Sequence, residues 1–275
     1  MYEVNRHPCF ADCLQGAMRL HLPIAPDCNI QCRYCVRRFD CANECRPGVC
    51  SRVLTPEEAT RLFCLAREKL PELTVVGVAG PGDALANFSA VKETLAAIRR
   101  LDKEIAFCLS TNGLRLTEFL PQLQDLGVKY LTVTVNAVTA ATGEKIYARV
   151  QKDGAALYGR EAFSCLWKAQ QQGIRAAVAA GICCKINTVV ISGINEGEAS
   201  SVARQAAEMG CYMQNLLPLF PISESELAGQ PAPGANVMRA LRRECGYYIR
   251  QMEHCQRCRA DAIGSLAEDI AAVFC

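Results

Sequence analysis

Neither sign of charge dominates this 275-residue chain: 30 Lys and Arg stand against 28 Asp and Glu, a formal net charge of +2. That balance gives no case for the basic surface on which nucleic-acid binding rests. No stretch reaches the ~18 uninterrupted apolar residues that a membrane-crossing helix needs. The first six residues lack the apolar core of a secretory leader. The expectation is therefore a cytoplasmic protein without membrane partners, whose thiols stay reduced. No internal repeat and no low-complexity tract breaks the chain, so residues 1–275 read as a single α/β domain.

Against that plain background stand 18 cysteines, which a reducing compartment does not spend on disulfides. Cys64, Cys165, Cys183 and Cys211 lie in apolar runs and read as small hydrophobes. Cys9, Cys41, Cys45, Cys50, Cys255 and Cys258 lie in polar, irregular segments beside His, Asp or Arg, which points to metal. Most informative are Cys28, Cys32 and Cys35, spaced C-x3-C-x2-C on the loop that leaves an apolar run at 20–25. Thiolates are soft ligands that select iron–sulfur clusters, zinc or copper(I). A [4Fe–4S] cluster usually takes four cysteines, so three on one tight loop leave one iron open. That is the mark of radical S-adenosylmethionine (SAM) enzymes, in which the open iron chelates SAM. Zinc or scattered core thiols are the alternative, although structural zinc loops more often pair C-x2-C halves. Tyr34, directly before Cys35, is placed to stand beside the adenine.

Apolar runs at 19–25, 73–79, 105–110, 130–136, 183–191 and 211–217 read as strands. Helical spacing is found at 56–69, 90–101, 116–126, 159–180, 198–209 and 237–254. Thr55 with Glu58 three residues on forms a capping box, and Pro56 suits the first helical position. Strands separated by such helices imply a parallel sheet. Six units make a partial (β/α)6 TIM-like barrel of the radical SAM type, with its site at the C-terminal strand ends. Residues 1–18 then form an N-terminal cluster-binding arm, 19–217 the barrel core, and 218–275 a loop and C-terminal cluster-binding arm. The two arms are expected over the barrel mouth. The Pro-, Gly- and Ser-rich loop 218–236 is the segment most suited to movement, as a lid would need.

The strand ends carry polar groups. Gly80-Pro81-Gly82-Asp83 follows the second strand. Its glycines let backbone approach a ligand closely, and Asp83 would suit the SAM ammonium, although Gly-Pro-Gly is also an ordinary turn. Ser110, Thr111 and Asn112 end the third strand and could bind ribose and carboxylate oxygens, while Asn112-Gly113 is equally a turn signal. Asn136 and Asn187 offer further polar contacts in the mouth. Far along the chain, Cys255-x2-Cys258 is a metal signal that leaves zinc and iron–sulfur both open. His7, Cys9, Cys41 and Cys108 could complete its ligand set.

Several segments, read together, resemble the NifB family of radical SAM maturases. These are Asn29-Ile30-Gln31-Cys32, Phe39-Asp40-Cys41-Ala42-Asn43-Glu44, Arg46-Pro47-Gly48-Val49, Ala79-Gly80-Pro81-Gly82-Asp83, Cys108-Leu109-Ser110-Thr111-Asn112-Gly113-Leu114 and Cys258-Arg259-Ala260-Asp261-Ala262. The likeness runs from His7 to about Asp269. It implies three [4Fe–4S] clusters, one binding SAM and two serving as substrates that are fused into an eight-iron precursor of the nitrogenase cofactor. One SAM would donate a methyl group to a sulfide. A second would yield a 5′-deoxyadenosyl radical that takes hydrogen from that carbon, leading to a central carbide, and a ninth sulfide would be added. Position by position, Cys28, Cys32 and Cys35 would hold the SAM cluster. Cys9, Cys41, Cys108, Cys255 and Cys258, with His7, would hold the substrate clusters. Glu44 would handle protons or ligate transiently.

The resemblance also implies a cluster-donating scaffold, a low-potential electron donor and a scaffold or carrier for the product. The resemblance is to the short, stand-alone form of the family, for which no appended carrier domain is expected. Cys13, Cys45 and Cys50 depart from the family pattern, as does the stretch between Arg149 and Arg160. Two rivals stand beside this reading. One is another radical SAM enzyme that modifies a peptide or small molecule with auxiliary clusters. The other is a non-catalytic iron–sulfur carrier.

Overall fold

Runs rich in Val, Ile and Leu alternate with amphipathic stretches from residue 18 onward, and strands alternate with helices accordingly. The computed structural model describes residues 4–11, 17–46 and 52–274. Cys13, Pro47, Gly48, Val49 and Cys50 lie outside the described residues. In chain order the elements are β1 (Met18–His21), β2 (Ile30–Cys32), α1 (Pro56–Lys69), β3 (Leu73–Val78), α2 (Phe88–Leu101), β4 (Ala106–Thr111), α3 (Leu116–Asp125), β5 (Val128–Thr134), α4 (Ala140–Ile146), β6 (Tyr147–Lys152), β7 (Ala155–Leu157), α5 (Gly159–Ala179), β8 (Cys183–Val190), α6 (Ala199–Glu208), β9 (Met213–Pro218), α7 (Ala235–Cys245) and β10 (Ile263–Gly264).

The main sheet runs β10-β1-β3-β4-β5-β8-β9. The six longer strands are parallel and β10 is antiparallel on its edge. This is the expected open barrel. Helix α1 begins where predicted, with both hydrogen bonds of the Thr55–Glu58 capping box formed, a device worth about 1 kcal/mol. It buries Ala59, Phe63 and Ala66, and α2 buries Val91, Leu95 and Ile98; both stripes pack with Val76, Val78, Phe107 and Leu109.

Because successive strand residues face opposite ways, the positions between those apolar ones point into the barrel. At the strands' starting end the interior is plugged by Val75, Ala106, Tyr130 and Cys183 together with Phe10. Residues 4–11 thus enter from the bottom, where Arg6 also reaches the Glu104 carbonyl, and among the described residues the N-terminal arm does not cover the mouth, contrary to expectation. The apolar Phe10 ring finds its dry partners there. The C-terminal arm closes the open side of the half-barrel. Gln251 bridges to Gln214 beside β9, and β10 pairs with β1, so residues 251–264 span the gap between the two edges.

Helix α7 stops at Cys245, nine residues short of its expected end. Beyond it the Arg250 carbonyl and the Met252 amide pair with Gln214. The sheet edge competes for this backbone and wins, so Cys255 and Cys258 sit on irregular chain. Cys64 is exposed, against expectation, whereas Cys183 and Cys211 are buried. A small antiparallel sheet, β2-β6-β7, escaped sequence reading. Its turn places Asp153 and Gly154 at φ of 51° and 80°, the conformation of a tight primed turn. This hairpin occupies the stretch between Arg149 and Arg160.

Candidate functional site

Cys28, Cys32 and Cys35 face one cavity, together with Cys41, Arg37, Asn43, Glu44, Gly82, Asp83, Ser110, Thr111, Asn112 and Thr134. The loop bearing them is fixed from two sides. Strand β2 carries Cys32 and pairs with β6, Cys32 opposite Tyr147. On the other side Gly82 N–H donates to the Ala25 carbonyl at 2.5 Å and Asp83 N–H to Asp27 at 2.8 Å. A Cβ on Gly82 would stand 2.1 Å from the Asp27 carbonyl oxygen. The close approach that glycine permits here is therefore to the cysteine loop's own backbone. Asp83 accepts from Thr111 Oγ1, from Asn112 N–H at 2.6 Å, and from the amides of Leu85 and Ala86. Its carboxylate ties the turn after β3 to the end of β4.

The sulfurs are surrounded by N–H donors. Asn112 reaches Cys28 Sγ at 3.8 Å, Arg37 reaches Cys35 Sγ at 3.5 Å, and the Asn43 amide reaches both Cys32 (3.9 Å) and Cys41 (3.5 Å). Burial pushes the Cys28 thiol up to about 12 and raises Cys32 and Cys35 as well. Such buried thiols become thiolates when a metal supplies the positive charge. Three soft donors on a fixed loop, with amide and guanidinium donors aimed at sulfur, fit an iron–sulfur cluster. Tyr34 stands behind this wall. Its ring is buried, and its hydroxyl donates to Asn43 and accepts from Asn136 at 2.7 Å.

A second cavity occupies the barrel interior. It brings together Cys9 from the N-terminal arm, Cys108 from β4, and Cys255 and Cys258 from the C-terminal arm, with His7, His21, Glu44, Lys185, Asn187 and Asn215. Among the described residues, no three His, Cys, Asp or Glu side chains converge as they would on a single metal ion; the cysteines here are spread around a chamber. Arg19 donates to Cys258 Sγ at 3.2 Å and Asn215 to Cys255 Sγ at 3.3 Å. Cys41 lines the first cavity, apart from the four cysteines with which it was grouped.

Glu44 belongs to both cavities, as does Ser110. It accepts from Thr134 Oγ1 at 3.2 Å and Asn187 Nδ2 at 2.9 Å. Burial raises its carboxyl to about 7, with Lys185 and its hydrogen bonds pulling the other way. It can thus hold or release a proton near neutrality.

The two histidines differ in tautomer. His21 Nδ1 lies 3.0 Å from the Arg259 carbonyl; a carbonyl only accepts, so Nδ1 carries the proton and Nε2 keeps its lone pair. Burial and Arg19 lower its pKa to about 4, so the ring stays neutral. His7 is the reverse. Its Nδ1 accepts from Cys9 N–H at 3.0 Å, which leaves the proton on Nε2, a buried atom without a hydrogen-bond partner. The ring is wedged edge-on against Phe10 and Tyr130. Of the two, His21 is the one that lines the chamber with an Nε2 carrying no proton.

Sequence reading missed His21, Lys185, Arg19 and Asn215. A signal existed: Arg19 and His21, Cys108 and Ser110, Thr132 and Thr134, and Lys185 and Asn187 each recur at the strand period of two. Polar residues on one face of four strands mark a polar interior.

The Radical SAM superfamily model matches residues 22–206. The chain is 44% identical to the FeMo cofactor biosynthesis protein NifB of Klebsiella pneumoniae, an alignment covering 98% of this chain and 58% of that protein. It is 41% identical to NifB of Frankia alni, over 97% of this chain and 54% of the relative. The chain thus spans between half and two thirds of these relatives' length. Among solved structures, methylornithine synthase (PylB) superposes with a TM-score of 0.52 at 14% identity, over 87% of this chain and 73% of that one, a likeness of fold.

Proposed function

Given that the chain belongs to the radical SAM superfamily, we propose that it is a cofactor maturase of the NifB type, fusing two [4Fe–4S] substrate clusters, with a carbon from SAM and an added sulfide, into the eight-iron precursor of the nitrogenase cofactor. The observation that carries this reading is the chamber. Cys9, Cys108, Cys255 and Cys258 come from three remote parts of the chain to line one interior space that adjoins the C-x3-C-x2-C pocket through Glu44.

Cys28, Cys32 and Cys35 would hold a [4Fe–4S] cluster, which would supply a low-potential electron to SAM. Around it, Asn112, Asn43 and Arg37 donate to the sulfurs. The Gly82–Asp83 turn holds the loop in place, and Thr111 and Asn112 present their polar groups to the same cavity. Gly80, Tyr34, Asn136 and Asn187 act from behind, through the backbone and side-chain network that sets this wall. In the chamber, His21 Nε2 and the cysteines bind the substrate clusters, with few protein ligands for each because the product must leave. Glu44 is the one carboxylate shared by both spaces, placed to accept a proton from carbon delivered across the boundary. The residues lining the two spaces are buried or half-buried, which limits water there, as a carbon radical requires. A cluster-donating scaffold, a low-potential reductant and an accepting carrier follow as partners. No helix among the described residues is long and apolar enough to cross a membrane.

Anaerobic reconstitution with iron counting tests the reading. About twelve irons per chain are expected, from three four-iron clusters. Turnover with SAM and dithionite should convert roughly eight of them into one acid-extractable cofactor species. A protein that forms 5′-deoxyadenosine while its iron stays in separate cubanes would be a different radical SAM enzyme.

A further inference from the structure

Among the described residues, Lys185 has no partner that accounts for its position. It projects from β8 into the chamber, 5% exposed. Its ammonium lies 3.9 Å from Met252 Sδ and 5.2 Å from the centre of the Phe10 ring. Among the described residues no carboxylate comes within ion-pair distance of it. A thioether and a ring face compensate a buried ammonium poorly, and an unpaired buried charge is expensive. Its two contacts belong to opposite arms. Phe10 adjoins Cys9, and Met252 lies three residues before Cys255. Lys185 therefore stands between the Cys9–Cys108 side of the chamber and the Cys255 side. The groups whose charge it senses most are Cys9, Glu44, Cys255 and Cys108. A second buried cation that reaches the chamber wall, Arg19, is already committed to Cys258 and to the carbonyls of Gly264 and Ser265.

Thiolate-bound iron–sulfur clusters carry net negative charge, and net charge sets their potential. Two of them in one dry space repel strongly, because a low dielectric screens little. We propose that Lys185 is a positioning residue: its ammonium is the counter-cation that allows two anionic clusters to occupy the chamber side by side. This rests on the maturase reading, since only a fusion reaction needs both clusters there at once. A cation fixed between the two ligand sets lowers the cost of their approach and raises both potentials. It also accounts for a lysine held in a site where, without such a ligand, methionine would be better solvated.

The test uses the full chain, reconstituted anaerobically, as wild type, Lys185→Met and Lys185→Arg. Stepwise loading with iron and sulfide is followed by iron counting. EPR-monitored redox titration reads the midpoint potentials, with the Cys28–Cys32–Cys35 cluster as internal reference. Wild type should take up about eight irons beyond that cluster, whereas Lys185→Met should stop near four. The remaining chamber signal should move to lower potential while the reference stays in place. Yield of the eight-iron species should fall roughly thirtyfold or more, the scale of one lost buried charge partner. Lys185→Arg should restore loading and potential. A methionine variant that loads fully with unshifted potentials overturns the proposal, and so does an arginine variant as impaired as methionine, because shape would then matter and charge would not. Should Lys185→Met fail to fold, Lys185→Gln supplies the neutral arm, with the same two outcomes. If wild type loads both clusters yet never fuses them, the maturase reading fails; loading and potential still decide the role of Lys185.

Discussion

The two cavities share Glu44 and Ser110 but are built in opposite ways. The first takes its motif thiols from a short loop: the three cysteines fall within eight residues of sequence, and β6 and the Gly82 turn hold that loop against the strand ends. The second is made by the whole fold, with side chains from both arms and the inward face of the barrel. A local site advertises itself as a motif, while a distributed one is dispersed among ordinary strands. The difference also suits the proposed roles. A resident cluster needs a permanent three-sulfur seat, and substrates that must merge and leave need a chamber with ligands on separate walls.

The sharpest way to break the comparison is to empty one cavity and watch the other. Replacing Cys28, Cys32 and Cys35 together by alanine should remove about four irons and abolish formation of 5′-deoxyadenosine, while the chamber's EPR signals survive. Replacing Cys255 and Cys258 should do the converse to iron content: the chamber signals are lost with the eight-iron product, and the first cluster stays. Loss of all iron in both variants would mean one site and not two. Cys41 sharpens the division, because the Asn43 amide reaches both it and Cys32. Cys41→Ala should leave SAM able to bind the first cluster, as seen in its EPR spectrum. If instead that cluster is lost, Cys41 is a fourth cap and the open iron does not exist.

The histidines come next. His21→Ala should weaken iron loading of the chamber by roughly tenfold or more, the scale on which groups around a metal act. His7→Phe keeps a ring between Phe10 and Tyr130 and should load nearly as wild type. The reverse result would show that the tautomers are assigned the wrong way round.

How much of this was legible follows from the same contrast. Six strands and α1 were readable because apolar period and capping chemistry are local. The C-x3-C-x2-C loop was readable because three soft donors on one turn serve few other purposes. The end of α7 was not, because helical spacing continues past Cys245 and only the Gln214 edge, 30 residues or more away, diverts the chain. Strands β2, β6 and β7 were missed because β2 and β7 are three residues each and β6 is interrupted by Arg, Gln and Lys. Lys185 and His21 were hidden for a different reason: each shares its strand with another polar residue two positions away, and the meaning of that pattern appears only when four strands are aligned.

Glu44 gives a smaller, continuous effect. Its carboxyl is raised from 4.5 to about 7, chiefly by burial, so the folded apoprotein binds a proton that the unfolded chain has released. Stability attributable to this group is therefore greatest below the unfolded value and declines as pH rises from about 4.5 to 7, by roughly 3 kcal/mol at most. Denaturant unfolding of the apoprotein between pH 5 and 8 should show that decline, and Glu44→Gln should flatten it. A slope unchanged by the substitution would place the titrating group elsewhere.

The smallest effect is expected where the eye is drawn first. Loop residues Glu224 and Glu226 form ion pairs with Arg38 and Arg33 on the cysteine loop, which look like latches over the first cavity. Three of these four side chains are about half exposed or more, and Arg33 is 32% exposed. Water and salt therefore screen the pairs, and each is worth less than about 1 kcal/mol. What holds the loop is apolar: Leu219 and Ile222 are buried, and Leu219 packs in the same cluster as Cys32, Cys35 and Tyr34. Glu224→Gln with Glu226→Gln should thus shift the melting temperature little and leave the rate of iron loss to a chelator near that of wild type. Leu219→Ala should accelerate that loss markedly. If the glutamine pair releases iron as fast as Leu219→Ala, the loop is fastened by charge after all, and the first cavity depends on its surroundings as much as the second.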